Sequence, residues 1–527
     1  MNNLVFGILT ITFCTIGYYY SWKLQTRNNF KIALLLLILC GLTLRIYTST
    51  DLFLHSWDER YHALVAKNLI QHPLTPTLYN NPILLYDYKD WTGNNVWVHK
   101  QPLPLWTMAT SMWLFGINEI ALRLPSIILT TIGIWLSFSI ATYFFNKKVG
   151  YLTAFFYSIN GLIIELTGGR VSADHIDIFF LFFVELAIYF SIIFAQKQKV
   201  IYNIFAGVSI GAAILSKWLP ALIVLPIWLL IIINSGNFKP KTIFFQFIVL
   251  LTTLVLIFLP WQLYIYQAFP IETDWESSFN FKHITHVLEE RSGELYYFAN
   301  RIRINYGELI YLPVIWFLWR TFKNLKDKKR LAISIWFLIP FLFFSFAKTK
   351  MQAYILFASP ALFMMTSDFW FMLYDFKTNH KLNGFFNLIL FLLIVLPIRY
   401  TIERSKPFEK SDRKPQWVMN LKKLNEKKIT NGILLNYDKP IEAMFYTNLT
   451  VYPNIPDKKV ITDLIASGYK VIINDNGNIP SDIKAIEGIT REDLTAANIK
   501  TNSSSLPKGH FYEDLVIFGE CWLFIVD

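Results

Sequence analysis

Two adjacent acids, Asp58 and Glu59, stand where an apolar run gives way to a long polar loop. Ionisable groups at the mouth of a membrane bundle are costly and usually serve a function. Neighbouring residues do not share one face of a helix, so the two carboxyl groups have separate tasks. One is a candidate general base or metal ligand, while the other orients a loop or binds an arginine. Asp58 is also placed to cap a helix over 59–69, and capping is compatible with catalysis.

A histidine and a lysine, His99 and Lys100, stand together near the far end of this polar loop. A neutral imidazole can bind a metal ion, and a lysine is a compact donor for a phosphate group. Pro102 and Pro104 stiffen the approach to the apolar segment that follows. A solvated loop is the alternative interpretation, but the flanking residues favour a functional pair.

Further polar residues border the later apolar runs. Asp174 and Asp177 lie one helical turn apart, and either is a candidate second acid, although Asp174 is equally placed to cap a helix. Lys217 lies between two apolar runs, where it either snorkels to the interface or points into a cavity. Lys350 and Tyr354 are candidate ligands for a phosphate group.

Two histidines, His283 and His286, have the spacing that places two side chains on one helix face. Such a pair can bind a divalent metal ion. A helix surface without a metal is the alternative, because two histidines alone do not complete a coordination shell.

The composition of the chain is that of a polytopic membrane protein. Of its 527 residues, 54% are hydrophobic and 16% charged, and the mean hydropathy is +0.38. The formal net charge of +12 is better explained by cytoplasmic loops and anionic lipid or phosphate partners than by nucleic acid, because no basic-aromatic nucleic-acid motif is present.

Apolar runs predict an all-α bundle of about twelve spans. They lie near 4–21, 32–50, 120–144, 150–165, 177–195, 201–216, 218–234, 243–261, 307–321, 331–346, 352–373 and 384–399. The short segment 103–115 has the pattern of a helix lying in the interface. If it does not cross, the lysine- and arginine-rich loops, including 323–330, share one side, which the positive-inside rule makes cytoplasmic. The acids and histidines then face the periplasm.

The composition changes near Arg404, where long apolar runs stop. Residues 432–437 and 469–474 have the pattern of buried strands, and 458–467 that of a short helix. We therefore predict a membrane domain over 1–403, with an outer catalytic loop at about 51–118. A small α/β domain over 404–527 follows on the periplasmic face, and it carries no phosphate-binding glycine motif.

Three segments give the chain a family resemblance. They are Trp57-Asp58-Glu59, His99-Lys100-Gln101-Pro102-Leu103-Pro104, and Phe115–Ser126. Together they resemble the polyprenyl-phosphate-sugar-dependent glycosyltransferases of the GT-C fold, in the branch of the lipid A aminoarabinose transferases and the relatives of the protein O-mannosyltransferases. Lys348–Pro360 is similar to a late lysine-tyrosine-proline pattern of that branch. The resemblance covers roughly residues 32–373.

The resemblance implies roles for individual residues. Asp58 is then the acid-base residue, with Glu59 beside it, and Asp174 or Asp177 matches a second acidic site. Lys100 corresponds to the lysine that meets the donor phosphate, and Arg60 to a phosphate contact.

A metal site is also implied. His99 stands where the aminoarabinose transferases usually carry a glutamate. This substitution either argues against their metal site or makes it a histidine-based site for a divalent ion (Zn, Mg or Mn) that uses His283 or His286.

The predicted activity is that of an inverting glycosyltransferase in a bacterial inner membrane. Its donor is a sugar on a polyprenyl phosphate, and its acceptor is a hydroxyl or phosphate of a lipid, glycan or protein. The alternative is a transporter or flippase for a lipid-linked sugar, through which the substrate passes unchanged. The sequence shows neither the internal repeats nor the matched broken spans typical of such proteins.

Overall fold

The structure is a computed structural model that describes residues 3–172, 174–380, 384–486, 489–492, 515–517 and 523–526. The chain divides into two compact units. The membrane unit comprises Met1–Asp51, Trp57–Glu59 and Val98–Ser411, and the αβ unit comprises Leu52–Ser56, Arg60–Trp97 and Asp412–Asp527.

Helices account for most of the described chain. In order they are α1 (Asn3–Thr26), α2 (Phe30–Thr48), α3 (Asp58–Leu69), α4 (Pro102–Phe115), α5 (Glu119–Phe144), α6 (Lys147–Ile159), α7 (Gly161–Thr167), α8 (His175–Lys197), α9 (Val200–Lys217), α10 (Val224–Ser235), α11 (Pro240–Ala268), α12 (Pro270–Thr285), α13 (Tyr297–Tyr306), α14 (Tyr311–Lys323), α15 (Lys328–Phe346), α16 (Ser359–His380), α17 (Gly384–Ser405), α18 (Gln416–Glu426), α19 (Pro440–Tyr446), α20 (Lys458–Ala466) and α21 (Ser481–Lys484). Short 3-10 turns occupy Leu219–Ile223, Glu308–Ile310 and Gln352–Ala358.

The all-α membrane fold predicted from the apolar runs is confirmed. Among the described residues, nine helices are long and apolar enough to span a bilayer, or ten if the pair α6 and α7, bent by 49°, is one span. The run 218–234 forms a 3-10 turn followed by α10, and 307–321 ends in the 13-residue α14. The count of nine rests on length and composition, and it does not include these two shorter segments.

Helix α4 is the predicted interfacial segment. It has 14 residues, begins with prolines in its first turn and ends at Gly116, whose φ of 87° favours glycine. Leu105, Met108 and Met112 are buried, whereas Trp113 is 69% exposed. A helix of this length is too short to cross the bilayer by itself.

The core of the membrane unit surrounds α8, which is buried over most of its length and packs against α5 and α9. Its residues are apolar on nearly all sides, as expected for a helix enclosed by others. The ends of these helices therefore hold polar side chains in a rigid frame.

The αβ unit contains one sheet in the order β2-β1-β3-β5-β4-β6. The strands are β1 (Gly432–Leu435), β2 (Thr450–Val451), β3 (Lys470–Asn474), β4 (Ile489–Glu492), β5 (Leu515–Ile517) and β6 (Leu523–Val526). All pair in parallel except β6, which is antiparallel to β3 and β4. Buried Ile433, Leu435, Val471 and Ile473 pack against α20, so the strands predicted at 432–437 and 469–474 form neighbours in this sheet.

Candidate active site

In the membrane unit, charged residues at four helix ends interact electrostatically with one another. Asp58 begins α3, Asp174 precedes α8, Lys100 lies just before α4, and Lys217 ends α9. The carboxyl group of Asp177 interacts with Asp174, Lys100 and Lys217, and the imidazole of His99 interacts with Lys100 and Asp58. Residues that are distant in the sequence therefore form one acid-and-base cluster.

Lys217 is paired with a buried carboxylate. Its Nζ donates a hydrogen bond to Oδ1 of Asp177 and lies 5.0 Å from the centroid of the Tyr354 ring. Within the described part of the chain, the other oxygen of Asp177, Oδ2, is buried without a hydrogen-bond partner. A buried carboxylate oxygen is costly to leave unsatisfied. Oδ2 of Asp177 can therefore accept a further hydrogen bond from a donor.

Lys100 is held by His99 rather than by an acid. Lys100 Nζ donates to His99 Nε2 over 3.1 Å, and His99 Nδ1 donates to Oε2 of Glu276 over 2.9 Å. Burial, and then the charge of Lys100, hold the pKa of His99 below its ordinary value of 6.5, although Glu276 acts in the opposite direction. His99 is therefore neutral at pH 7 and orients the ammonium group of Lys100.

Lys350 binds the end of a helix. Its Nζ donates to the backbone oxygens of Ser345 and Ala347 over 2.6 and 2.8 Å, at the C-terminus of α15, where a cation is favourable. Burial, and then Lys348, lower the pKa of Lys350. The predicted phosphate ligand therefore uses its ammonium group to satisfy the backbone.

The three histidines predicted to bind a metal do not form one set of ligands. His99 uses both ring nitrogens, as described above. His283 Nδ1 donates to the backbone oxygen of Phe279 over 3.0 Å, and Nδ1 of His286 accepts from the hydroxyl of Thr285 over 2.7 Å. Burial also lowers the pKa of His283. Among the described residues, no group of three or more His, Cys, Asp or Glu could hold a metal ion, and the divalent-ion site stays a prediction.

Arg60 belongs to the αβ unit, where it has other partners. Its Nη1 lies 3.3 Å from Oε1 of buried Glu442, and its guanidinium lies 4.8 Å from the centroid of the Tyr61 ring. Burial raises the pKa of Glu442, while Arg60 acts to lower it. The role of Arg60 as a phosphate contact stays a prediction.

Glu59 forms a fully buried ion pair in the membrane unit. Arg123 Nε donates to Oε1 over 2.6 Å and Nη2 donates to Oε2 over 2.9 Å, with both side chains fully buried. His175 Nε2 lies 3.4 Å from Oε1, and the hydroxyl of Ser126 donates to His175 Nδ1 over 2.8 Å. Glu59 therefore binds an arginine and orients neighbouring segments, whereas adjacent Asp58 is half-buried.

The chain passes very close to this pair at Gly169. This residue has a φ of +69°, and a Cβ atom there would lie 2.2 Å from Oε1 of Glu59. Only glycine satisfies both the backbone conformation and the close approach.

Sequence reasoning did not identify four residues of this arrangement: Arg123, Ser126, His175 and Glu276. Two of them, Arg123 and Ser126, lie inside the segment that carried the resemblance, and an arginine within an apolar run was the available signal. Glu276 offered no local signal, because it is 177 residues from its partner His99.

Replacing Glu59 by Gln leaves the charge of Arg123 buried and uncompensated. We expect the variant to lose about 3–5 kcal/mol of folding free energy, measured as a lowered midpoint of thermal unfolding in detergent. Glu409→Gln is the matched control, because Glu409 pairs with Lys406 over 3.2 Å while 59% exposed, and exposed pairs contribute about 0–1 kcal/mol.

A double variant, Glu59→Gln with Arg123→Met, separates the ion pair from the shape of the site. It removes both charges, so we expect it to unfold at a higher temperature than Glu59→Gln alone. Equal unfolding midpoints for Glu59→Gln and Glu409→Gln would contradict the assignment of the pair as a main stabilising contact.

Comparison with known proteins agrees with this architecture. The family profile described as "Dolichyl-phosphate-mannose-protein mannosyltransferase" matches residues 99–264. The chain is 27% identical over 258 residues to an undecaprenyl phosphate-alpha-4-amino-4-deoxy-L-arabinose arabinosyl transferase of Yersinia pestis (strain Pestoides F), covering 48% of this chain and 46% of that protein. The chain thus spans about half the length of the curated relatives it matches.

Two solved structures share the fold. ArnT from Cupriavidus metallidurans, bound to undecaprenyl phosphate, has a TM-score of 0.57 at 15% identity, covering 82% of this chain and 87% of that one. The oligosaccharyltransferase AglB from Archaeoglobus fulgidus, with an inhibitory peptide and a dolichol-phosphate, has a TM-score of 0.52 at 15% identity, covering 80% and 64%. The chain has the GT-C fold and resembles the polyprenyl-phosphate-sugar-dependent glycosyltransferases.

Proposed function

We propose that this protein transfers a sugar from a polyprenyl-phosphate donor to a hydroxyl or phosphate group of a lipid, glycan or protein, with inversion at the anomeric carbon. One observation carries the proposal. A cluster of acids and lysines lies in a membrane unit whose fold is that of ArnT and AglB. Its members are Asp58, Asp174, Asp177, Lys100 and Lys217. Undecaprenyl phosphate and dolichol-phosphate in those two structures support a lipid-phosphate donor for this chain.

Asp58 is the general base of the proposed reaction. It is half-buried at the first residue of α3, where the helix N-terminus stabilises a carboxylate. The acceptor hydroxyl attacks the anomeric carbon while its proton passes to Asp58, and the bond from that carbon to the lipid phosphate breaks. A single displacement of this kind inverts the anomeric configuration.

Lysines stabilise the leaving lipid phosphate as negative charge develops on it. Lys100 is suited to this task because its hydrogen-bond partner, His99, is a neutral imidazole rather than a carboxylate. Lys217 forms an ion pair with Asp177 in the structure. It is the second cation proposed to act on the leaving phosphate, beside Lys100. The ring of Tyr354 faces Lys217, so Tyr354 belongs to the same proposed phosphate-binding group.

The buried ion pair positions both proposed acids. Glu59 adjoins Asp58, and His175 adjoins Asp174, so the contacts from Arg123 to Glu59 and from His175 to Glu59 fix the backbone on which the two acids are carried. Glu59 is thus a positioning residue in the proposed mechanism, and Asp174 supplies the second carboxylate of the site.

The proposed location is the bacterial inner membrane, with the site facing the periplasm. The loops rich in lysine and arginine, such as Lys323–Arg330, then lie in the cytoplasm. In this proposed arrangement the cluster of Asp58 and Lys100 lies at the opposite ends of the spans from these loops.

Asp58→Asn removes the proposed base and keeps the size of the side chain. We expect turnover to fall by about 10²–10⁴-fold, the contribution typical of general base catalysis, while binding of the donor is retained. The assay incubates the purified protein in lipid with radiolabelled polyprenyl-phosphate sugars and membrane extract, and measures sugar released from the donor and recovered on an acceptor.

Asp274→Asn is the matched control, because Asp274 is an exposed aspartate on α12 of the same unit. It should retain full turnover. Equal turnover by the Asp58→Asn variant and the native protein would refute the assignment of the base. Movement of an unchanged donor across the membrane, with no donor consumed, would support the transporter alternative.

The pH dependence of donor use tests the contact between His99 and Lys100. Since the folded pKa of His99 lies below 6.5, the neutral imidazole predominates above that pH and is progressively lost as the pH falls through the lowered pKa. The imidazolium no longer accepts from Lys100 and repels it. We therefore expect kcat/KM for the donor to fall at acidic pH, with Lys100 mispositioned.

The contribution of neutral His99 to the free energy of unfolding depends on pH in the same direction as kcat/KM. It is fully present above 6.5 and decreases as the pH falls toward the lowered pKa, because the unfolded chain takes up the proton first. His99→Gln keeps an acceptor for Lys100 and a donor for Glu276 without a titrating ring. An unchanged acidic limb of kcat/KM in this variant would assign that limb to another group.

A further inference from the structure

A basic pocket lies where α14 ends and α15 begins, in a part of the membrane unit that the proposed mechanism does not use. Its volume is about 300 Å³. The lining residues are Trp319, Arg320, Lys323, Asn324, Asp327 and Arg330. Between residues 320 and 330 the sequence has six Lys or Arg and one acid, so the pocket opens in a strongly positive segment.

Arg330 is the inner cation of this pocket. Its Nη2 donates to Oδ2 of Asp368 over 2.8 Å, and its Nε lies 3.5 Å from Oδ2 of Asp327. Its remaining terminal nitrogen, Nη1, is buried and has no hydrogen-bond partner among the described residues. A guanidinium nitrogen in that state is a donor available to an anionic ligand.

Arg320 and Lys323 are the outer cations. The guanidinium of Arg320 lies 5.3 Å from the Trp316 ring centroid, and Nζ of Lys323 lies 3.9 Å from the Trp319 ring centroid. Within the described ranges of the chain, neither has an acidic partner at salt-bridge distance. Indole rings hold both cations at the rim, and the pocket retains an excess of positive charge.

An apolar stripe leads from the pocket along α14. Ile315, Trp319 and Phe322 are 66%, 53% and 63% exposed, and their spacing of four and three residues places them on one face of the helix. Large apolar side chains at this exposure in a membrane protein face hydrocarbon rather than water, and tryptophan is typical of the boundary between them.

We propose that this pocket binds the phosphate group of an anionic phospholipid, with an acyl chain along Ile315, Trp319 and Phe322. Arg330, Arg320 and Lys323 surround the phosphate. The stripe distinguishes a lipid from a soluble phosphate, because a free anion would use the cations and leave the apolar face uncovered. The site is separate from the cluster around Asp58, and its test does not depend on glycosyl transfer.

The test measures phospholipid binding to the purified full chain after delipidation in a neutral detergent, by native mass spectrometry with added phosphatidylglycerol. The variant Arg320→Gln with Lys323→Gln removes the outer cations. We expect affinity for phosphatidylglycerol to fall about thirtyfold, since each cation near a lipid surface contributes roughly a factor of five. The exchange Arg320→Lys with Lys323→Arg should retain binding.

Lys147→Gln with Lys148→Gln is the matched control. These two exposed lysines lie at the start of α6, on the same predicted side of the membrane but outside the pocket. The control should bind phosphatidylglycerol like the native chain. An equal loss in this control would show that affinity follows overall charge, and would overturn the proposal.

Two further ligands distinguish the source of the phosphate. Phosphatidylcholine with the same acyl chains should bind more weakly, and equal binding would overturn recognition of an anionic headgroup. Glycerol phosphate, which has no acyl chain, should not compete at equal concentration; full competition would identify a soluble phosphate site and overturn the lipid assignment. Native unfolding midpoints in all variants show that a loss of binding is local.

Discussion

The buried ion pair between Glu59 and Arg123 is the interaction on which the rest of the candidate site depends. Two charges without access to water are tolerable only when every donor and acceptor is satisfied. Arg123 achieves this by binding both oxygens of Glu59 and the backbone oxygens of Ser49 and Asp51. The end of α2, the start of α3 and the first turn of α5 are thereby joined, and the carboxylate of Asp51 extends the network to Arg170 over 2.9 Å.

Lysines of the membrane unit show how surroundings divide one residue type among different tasks. Lys100 contacts a neutral imidazole. Lys217 contacts a carboxylate, which balances its charge locally. Lys350 contacts backbone oxygens at the end of α15 and stabilises that helix. Of these three lysines, only Lys100 has a neutral side chain as its hydrogen-bond partner, which suits it to stabilise a leaving phosphate.

The two basic regions of the membrane unit differ in how many acidic residues accompany their lysines and arginines. Around Lys100 and Lys217, aspartates interact with the cations and limit the net charge of the site. Between residues 320 and 330, one acid accompanies six bases, and aromatic rings hold the outer cations. A balanced site suits proton transfer and a charged leaving group, whereas an unbalanced one suits a permanent anion at the membrane boundary.

Much of the fold follows from local patterns in the sequence. Nine of the predicted spans are helices long enough to cross, because a sustained apolar run suffices to predict one. The strands at 432–437 and 469–474 follow from the same reasoning, and Asp58, Lys100, Asp174 and Lys217 could be singled out because charges beside apolar runs are costly. Hydropathy alone does not reveal that the runs 218–234 and 307–321 begin with a 3-10 turn before the α-helix starts.

Only the tertiary structure decided that one of two neighbouring acids, Glu59, is fully buried and the other, Asp58, half-buried. Adjacent residues on a helix point in different directions, so the packing of α5 and α8 buried Glu59 and left Asp58 half-buried. The same applies to His99, whose nitrogens are occupied by Lys100 and by Glu276 on α12. Sequence patterns report the period of a helix or strand, but the partner of a polar side chain depends on contacts between segments that lie far apart in the chain.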